Sequence, residues 1–483
     1  MPYPTLVSLL VAMLLSSALP AQNTAKIQAY LKRMDSARAF EQASWGFHMV
    51  NSKTQKPIAQ FQSKKSLVPA SVLKILTTAT GLALLGDTFR FKTSLLAEGK
   101  TDNGGVLNGD LVVKGKGNPV LGSAKASDED SKTVIQLFAK QVKANGIKRI
   151  KGSLKADVSY FEYEPVPSSW VWFDIGNYYA PEISALNLGE NQYELYFKPG
   201  TKAGDSTKFL NTNPSISGLT LVNHTTTALG GGDQTYIPGP PREMEKHIYG
   251  KMPAGDQFKV KGAIPRPEIF FLQQLLAELN KQGIVAEGGI SESVRTKNQG
   301  TKTTVLYTHF SAPLAEIARY ANQTSNNLSA ECILRTLGAE KGKEGSTNEG
   351  LEVVKKYLAS RIPNVTSLKM TDGSGLSKYN LCSPLQMSSF LGSIQKEAWF
   401  TCFLGSLPVS GKEGTLERIC DGTAAEGKVI AKSGSMERVK CYAGYLRQKN
   451  GQLNPFSVFV NNHDVSNREI VKWIEGLMEV CVE

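Results

Sequence analysis

The chain has 483 residues, a formal net charge of +12 and 41% hydrophobic residues. This length is too great for one compact core, so two or three domains are expected, and the hydrophobic content is that of a globular protein. Lysine and arginine are spread along the chain without an arginine-rich arm, which argues against a nucleic-acid partner.

The first element is an uncharged apolar run from Leu6 to Leu15, followed by small residues that end at Ala21. This pattern predicts a secretory signal peptide over residues 1–21 and therefore an exported protein, periplasmic or extracellular. An uncleaved anchor is the alternative, although the run is short for a membrane span. The basic charge also leaves peripheral association with a membrane surface open.

A predicted hairpin, with strands near residues 45–51 and 58–61, precedes the motif Ser71-Val-Leu-Lys74. The apolar run after Ser71, which stops at Gly86, predicts a buried helix that begins at the serine. On a helix, a serine and a lysine three residues apart lie on one face. The lysine amine is therefore placed to act as the base that a serine nucleophile needs.

Residues 89–310 differ in character and are rich in glycine, proline and short alternating segments. They predict a mainly β region with a helix over residues 269–282. Repeated turn signals mark a nested subdomain over about residues 187–261. The tryptophan-rich phrase that ends at Asp174 also lies within this region.

Two further motifs follow the β-rich region. Ser325-Asn-Asn327 occupies a predicted turn between helical patterns, where a hydroxyl can shuttle a proton and an amide can hold a substrate carbonyl. Lys432-Ser433-Gly434 follows the apolar strand 429–431, and residues 441–446 are a natural hairpin partner. Such an edge strand offers a cation for a carboxylate and free backbone for an extended peptide.

Each motif alone is weak evidence. Ser393-Ile-Gln-Lys396 and Ser346-Thr-Asn348 fit the same short patterns but lack the surrounding helix, turn and strand signals. The last helical pattern, over residues 468–480, is amphipathic. We expect it to pack against the sheet, with a membrane-surface anchor as the alternative.

The cysteines and histidines predict no metal site and no other cofactor. The five histidines are scattered, and the cysteines lack the paired spacing of zinc ligands. Disulfides and buried free thiols remain equally open for the six cysteines, which are Cys332, Cys382, Cys402, Cys420, Cys441 and Cys481.

Taken in this order, the three motifs resemble the D-alanyl-D-alanine carboxypeptidase/endopeptidase family of class C, low-molecular-mass penicillin-binding proteins. The long separation between Lys74 and Ser325 fits that family's large insertion, and the phrases 109–119, 180–187 and 372–377 also match it. The resemblance implies an α+β fold. Its DD-peptidase, β-lactamase-like catalytic domain, an antiparallel sheet flanked by helices, would comprise residues 22–88 and 311–483, interrupted by the mainly β insertion 89–310.

The resemblance also implies a reaction. Ser71 would attack a D-alanyl carbonyl of a peptidoglycan stem peptide, with Lys74 as the leading candidate for the base and Ser325 as the proton relay to the leaving amine. Penicillin-type antibiotics would act as covalent inhibitors. Carboxypeptidase and endopeptidase action remain open, as does the oligomeric state.

The remaining site residues would bind substrate. Asn327 would hold the acyl-chain amide, while Lys432 and Ser433 would bind the terminal carboxylate. Gly434 belongs to the edge strand, and the backbone N–H groups of Ser71 and Ser435 would form the oxyanion hole.

The family resemblance suggests a further subsite for the third stem residue. Asp174 would select a diamino acid side chain, and Met436 would line the same subsite. A surface turn is the alternative for Asp174.

Two other functions remain as alternatives. A β-lactamase would need a glutamate-held water, and the sequence around Glu182 precedes Ser325 and does not fit that role. A catalytically idle murein-binding protein would have no use for the intact Ser71 and Lys74 pair.

Overall fold

The computed structural model describes residues 24–127, 129–291 and 303–482. The predicted signal peptide, residues 1–21, lies outside the described residues. The helices of the described part are α1 (residues 24–35), α2 (Lys74–Leu85), α3 (Ser131–Ala144), α4 (Pro267–Lys281), α5 (Leu314–Thr324), α6 (Asn327–Lys341), α7 (Thr347–Leu358), α8 (Pro384–Ser393), α9 (Phe400–Ser406) and α10 (Asn467–Val482).

The described part also contains eighteen strands. They are β1 (Ser44–Val50), β2 (Pro57–Phe61), β3 (Lys92–Thr101), β4 (Val106–Gly115), β5 (Arg149–Ile150), β6 (Leu154–Asp157), β7 (Gln192–Lys198), β8 (Lys208–Asn213), β9 (Thr220–Asn223), β10 (Thr226–Ala228), β11 (Gln234–Tyr236), β12 (Glu245–Pro253), β13 (Phe258–Ala263), β14 (Val285–Ala286), β15 (Thr303–Phe310), β16 (Val429–Met436), β17 (Val439–Arg447) and β18 (Leu453–Asn461).

Five antiparallel strands from both ends of the chain form one sheet, in the order β16-β17-β18-β1-β2. Its central strands are buried on both faces. One face, with Ala443 and Tyr445, packs against helices that include α2, α5, α6 and α8. The other face, with Tyr442 and Leu446, packs against α1 and α10. A sheet with apolar residues on both faces needs a helical layer on each side, and this arrangement supplies both.

The amphipathic C-terminal helix therefore lies against the sheet, as predicted, with Ile474 and Leu477 buried in that contact. One prediction nearby is wrong. The helix of the first motif begins at Lys74, because Ser71 belongs to a preceding 3₁₀ turn, Ala70–Leu73. The predicted end is correct, since Gly86 follows the last helical residue with a φ of 90°.

The region between α2 and α5 folds around its own sheet. Strands β14, β5, β4, β3 and β15 are neighbours in that order, with β6 added on β4. Smaller sheets are formed by β13-β7-β8 and by β9 to β12. This layout is mainly β, as predicted. The domain limits themselves, at residues 88/89 and 310/311 and about 187–261, stay predictions.

One helix of this region was missed. The pattern of α3 was readable, because Asp130 accepts a hydrogen bond from the Thr133 N–H as a helix cap and Val134, Phe138 and Val142 form an apolar stripe. The second helix, α4, matches the predicted helix within two residues.

All six cysteines are free thiols, and all but Cys402 are buried. The free-thiol alternative is therefore the one that the structure adopts. In the described ranges, no helix is long and apolar enough to cross a bilayer.

Candidate active site

Ser71 lies in a sharp turn that is confined by two glycines. Ala70, just before it, has a left-handed φ of 48°. A Cβ atom at Gly434 would lie 2.7 Å from the Pro69 carbonyl oxygen and 3.0 Å from the Ser71 nitrogen. A Cβ atom at Gly375 would overlap the Ala70 carbonyl. Strand β16 and the loop that contains Gly375 can approach the serine only because neither position carries a side chain.

Lys74 is fully buried, and its amine contacts Ser71. Its Nζ lies 3.0 Å from the Ser71 Oγ, 2.6 Å from the Asn327 Oδ1 and 2.7 Å from the Ser374 carbonyl oxygen. A neutral amine has two N–H donors and one lone pair. The two carbonyl-type oxygens can take both donors, which leaves the lone pair for the Ser71 hydroxyl.

The electrostatic surroundings favour that neutral form. Burial lowers the pKa of Lys74 to about 7, and the carboxylates of Asp372 and Glu331 oppose this effect only in part. A lysine with a pKa near neutrality is unprotonated in a large fraction of molecules at pH 7, so it can act as a general base.

Glu331 positions the loop that contacts Lys74. Its buried carboxylate accepts hydrogen bonds from the backbone N–H groups of Gly373 and Ser374, at 3.0 and 2.8 Å. These bonds hold the loop whose Ser374 carbonyl contacts Lys74. Burial, followed by the charge of Asp372, raises the pKa of Glu331. The sequence motifs gave no indication of Glu331, and the loop was recognised only as a family phrase.

The second motif forms a turn between α5 and α6, as predicted. Ser325 ends α5 with left-handed backbone angles, φ 59° and ψ 35°. Asn326 caps α6 by accepting a hydrogen bond from the Ser329 N–H at 2.8 Å. Asn327 uses both ends of its amide, since its Oδ1 faces Lys74 and its Nδ2 donates to the Tyr179 carbonyl at 2.7 Å.

The third motif lies inside edge strand β16 rather than after it. Lys432 pairs with Ala443 of β17 and is fully buried, with its Nζ 2.8 Å from the Ser433 carbonyl. Burial, then the charges of Lys74 and Lys440, hold the pKa of Lys432 well below its usual value. An arriving carboxylate would favour the ammonium form.

Hydroxyl groups continue along the same strand. Ser433 Oγ lies 2.8 Å from the Thr415 hydroxyl, and Ser435 Oγ accepts a hydrogen bond from Lys440 Nζ at 2.7 Å. Thr415 and Lys440 had not been predicted, because they come from other segments of the chain. Lys432, Ser433 and Gly434 lie behind or beside the cleft and do not line it.

One cleft of about 450 Å³ collects most of the remaining predicted residues. Its walls come from both the β-rich region and the segments around it. It is lined by Ser71, Phe173, Asp174, Tyr178, Tyr179, Thr324, Ser325, Asn327, Gly375, Leu376, Lys378, Ser435, Met436 and Glu437.

Asp174 lies in a turn, as its alternative interpretation had it, and this turn lines the cleft with Asp174 half-buried. Its Oδ1 accepts a hydrogen bond from the Tyr179 hydroxyl at 3.0 Å. Burial raises the pKa of Asp174, while the Tyr179 bond and the positive charge of Lys378 oppose that rise. Met436 lines the same cleft. Tyr179 and Lys378 are additional lining residues that no short motif marks, while Leu376 belongs to the family phrase 372–377.

The competing motifs have structural roles. Ser346 caps α7 through the Glu349 N–H, and Ser393 ends α8 with its hydroxyl bonded to the Phe390 carbonyl. Glu182 lies in a separate cavity, where its carboxylate accepts the backbone N–H groups of Arg242 and Arg266. Within the described ranges, no group of three or more His, Cys, Asp or Glu side chains is arranged to hold a metal ion.

A serine in a cleft beside a buried lysine, a serine-asparagine turn and a lysine on an edge strand define a serine acyl-transfer hydrolase. The chain belongs to the D-Ala-D-Ala carboxypeptidase 3 (S13) family, whose model matches residues 24–479. This membership confirms the resemblance and the enzyme class, a serine-type D-Ala-D-Ala carboxypeptidase that acts in the cell wall.

Individual relatives agree. A D-alanyl-D-alanine carboxypeptidase of an Actinomadura species is 30% identical over 441 residues, which cover 88% of this chain and 79% of the relative. The D-alanyl-D-alanine carboxypeptidase DacB of Haemophilus influenzae is 24% identical over 445 residues, with 89% and 88% covered. The crystal structure of H. influenzae penicillin binding protein 4 has a TM-score of 0.77 at 23% identity, covering 92% of this chain and 97% of that one. This structural match confirms the predicted fold class.

Proposed function

We propose that Ser71 is the acylated nucleophile and Lys74 its general base. The observation that carries this assignment is the hydrogen bonding of the Lys74 amine. Its two N–H groups donate to Asn327 Oδ1 and the Ser374 carbonyl oxygen, and its lone pair is left for the Ser71 hydroxyl. The amine takes the hydroxyl proton as the serine oxygen attacks the penultimate D-alanyl carbonyl of a stem peptide.

The backbone N–H groups of Ser71 and Ser435 stabilise the oxyanion of the tetrahedral intermediate. The tight approach at Gly434, beside the Ser71 nitrogen, supports this assignment because it brings β16 against the nucleophile turn. Removing one such donor typically costs about 3–4 kcal/mol of transition-state stabilisation. Lys432 and Ser433 bind the carboxylate of the departing D-alanine, and Asn327 binds the acyl-chain amide.

Ser325 relays a proton to the leaving amine. As the C–N bond breaks, the amine gains the proton that Lys74 took from Ser71, and the acyl group stays on the serine oxygen. Water then hydrolyses the ester by the reverse proton path. Both carboxypeptidase and endopeptidase substrates follow this scheme, since they differ only in the leaving amine.

Asp174, in the same scheme, binds the free amine of a diamino acid at the third stem position. Its support is its place in the cleft with Met436 and the Tyr179 hydroxyl, which holds its carboxylate. We further propose that residues 1–21 direct export, so that the enzyme meets its substrate in the periplasm or outside the cell.

Intact-mass analysis after incubation with benzylpenicillin tests the nucleophile. The relative from H. influenzae has been crystallised in complex with a β-lactam. We expect a stable adduct on this protein that is absent in Ser71→Ala and retained in Ser393→Ala, which removes the serine of the competing motif. An adduct on Ser71→Ala would refute the assignment. Rapid loss of antibiotic without an adduct would instead indicate a β-lactamase.

A further inference from the structure

Glu190 is a buried carboxylate outside all three motifs. It lies in the 3₁₀ turn Gly189–Asn191, within the β-rich region, and it has a left-handed φ of 60°. Asn191, the next residue, is also left-handed at 53°. Two successive non-glycine residues in this conformation are sterically unfavourable, and such backbone persists only when its surroundings hold it.

The Asn191 side chain supplies that support. Its Oδ1 accepts a hydrogen bond from the Leu188 N–H at 3.1 Å, and its Nδ2 donates to the Glu182 carbonyl at 2.8 Å and to the Asn187 Oδ1 at 2.7 Å. These three bonds hold the turn in the conformation that directs the Glu190 carboxylate.

Three donors converge on that carboxylate. Glu190 Oε1 accepts the Ser123 hydroxyl at 2.7 Å, from within the β-rich region. Glu190 Oε2 accepts the Tyr320 hydroxyl and the Asn326 Nδ2, each at 2.8 Å. The last two belong to α5 and to the serine-asparagine turn. One carboxylate thus ties the β-rich region to the turn that carries Ser325.

The contact with Asn326 bears on catalysis because Asn326 lies between Ser325 and Asn327. Its Oδ1 holds the start of α6, and its Nδ2 is held by Glu190. Tyr320, whose hydroxyl donates to Glu190, lies on α5, the helix that Ser325 caps. The chain segments before and after Ser325 are therefore both anchored to one atom, Glu190 Oε2.

We propose that Glu190 is a positioning residue, which holds the turn so that the Ser325 hydroxyl reaches the leaving amine. This inference rests on the relay role proposed above for Ser325. A carboxylate suits the task because it accepts all three hydrogen bonds and donates none. A glutamine can keep its bonds to Tyr320 and Asn326 only with its N–H₂ group turned toward Ser123, and the negative charge that strengthens all three bonds is then lost.

The test compares two substrates with the same acyl part. One is a D-alanyl-D-alanine peptide, whose amine leaves only with a proton. The other is the matching thioester, whose thiolate leaves without one. Ser325→Ala serves as the reference, and we expect it to lower kcat on the peptide about 100-fold and on the thioester much less, as for loss of general acid catalysis.

Glu190→Gln is expected to show the same selectivity at smaller size, with kcat on the peptide lowered about 10-fold, KM unchanged and thioester turnover within about threefold of normal. Tyr320→Phe removes a single bond to Glu190 and should act in the same direction. Glu194→Gln, four residues further on and paired with Lys259, is the matched control and should leave both rates unchanged.

The outcomes separate the two levels of the argument. Equal slowing of both substrates by Glu190→Gln and Tyr320→Phe would reduce Glu190 to a structural residue and overturn the proposal. A selective Ser325→Ala beside an unaffected Glu190→Gln and Tyr320→Phe would overturn it too, while the proposed function stands. If Ser325→Ala slowed both substrates equally, the relay role and the Glu190 proposal would fall together.

Discussion

At Lys74, one side chain meets two opposing demands. In the proposed mechanism the amine must be neutral to accept a proton, yet it must be bonded well enough to stay beside Ser71. Full burial favours neutrality, and the oxygens of Asn327 and Ser374 satisfy its N–H donors. The nearby carboxylates of Glu331 and Asp372 keep the pKa from falling further. A pKa of about 7 is the result of these competing effects.

The pH dependence of acylation follows from this value. Acylation needs the neutral amine, so kcat/KM is expected to rise with pH to a plateau with a midpoint near 7. At pH 5 the rate should be about 100-fold below the plateau, since the neutral fraction falls tenfold for each pH unit. Stopped-flow measurement of the acylation rate by a chromogenic penicillin, repeated across this pH range, would give the midpoint.

Lys74→Arg is the companion variant, because a guanidinium stays protonated throughout this range. It should acylate at least 1,000-fold more slowly and show no midpoint near 7. A wild-type midpoint above 9 would show that the lysine is an ordinary ammonium group and that another residue is the base.

The proposed role of Asp174 in binding a free amine is tested by comparing two peptide substrates. Asp174→Asn keeps the shape of the side chain but removes its charge, so it should lower kcat/KM about 10-fold for a peptide with a free amine on its third residue. The same peptide with that amine acetylated is the control and should be cleaved equally by both proteins. Equal losses on both peptides would leave Asp174 without a role in amine recognition.

Among the strands and helices, edge strand β16 carries the most candidate site residues. It carries Lys432, Ser433 and Ser435, and it lies against the Ser71 turn at Gly434. Pairing with β17 fixes its register, so that Gly434 lies against the Ser71 turn and Ser435 lines the cleft. The geometry of the proposed oxyanion hole thus depends on one close contact between a strand and a turn.

Gly434→Ala should therefore impair catalysis more than stability. The added methyl group meets the Pro69 carbonyl at 2.7 Å and must push the strand from the turn. We expect the acylation rate to fall about 100-fold, as for loss of an oxyanion donor, with a far-UV spectrum like that of the wild type. Gly405→Ala, on α9, where a Cβ atom meets nothing within 4 Å, is the matched control. Undiminished acylation by Gly434→Ala would mean that this contact is dispensable.

Short-range patterns were enough to predict the elements that carry the motifs. The turn at Ser325 and the hairpin of β16 and β17 follow from local periodicity. The start of α2 was misplaced, because the 3₁₀ turn at Ser71 is shaped by packing against Gly375 and Gly434, far away in the chain. Glu190 and Glu331 escaped prediction for the same reason, since their hydrogen-bond partners are set by the tertiary fold.

At the scale of the whole molecule, the β-rich region and the helices around Ser71 share their cores. Leu328 and Cys332 of α6 belong to the same apolar cluster as Phe138 and Phe271 of that region. Trp170 Nε1 also donates to the buried Asp372 carboxylate at 3.0 Å. The region is thus joined to the loop that contains Asp372 and Ser374 by packing and by a buried hydrogen bond.

A single unfolding transition is expected from this shared core, although chains of this size commonly unfold in steps. In a urea titration, the midpoint from far-UV circular dichroism should coincide with the midpoint for loss of labelling by a fluorescent penicillin. Trp170→Phe removes one hydrogen bond to a buried charge and should lower the unfolding free energy by about 1.5–3 kcal/mol. Both urea midpoints should therefore shift to lower concentration together. Labelling that survives a first spectroscopic transition would show that the β-rich region unfolds independently.

The strand order of the central sheet also governs when the enzyme becomes active. Strand β1, which precedes the nucleophile, pairs with β18, and β18 connects it through β17 to the strand that carries Lys432. Ser71 therefore leaves the ribosome long before the strands that complete its surroundings. A nascent chain holds its serine and lysine without the edge strand, and it gains the ability to cut cell-wall peptides only when its C-terminal portion has been made and folded.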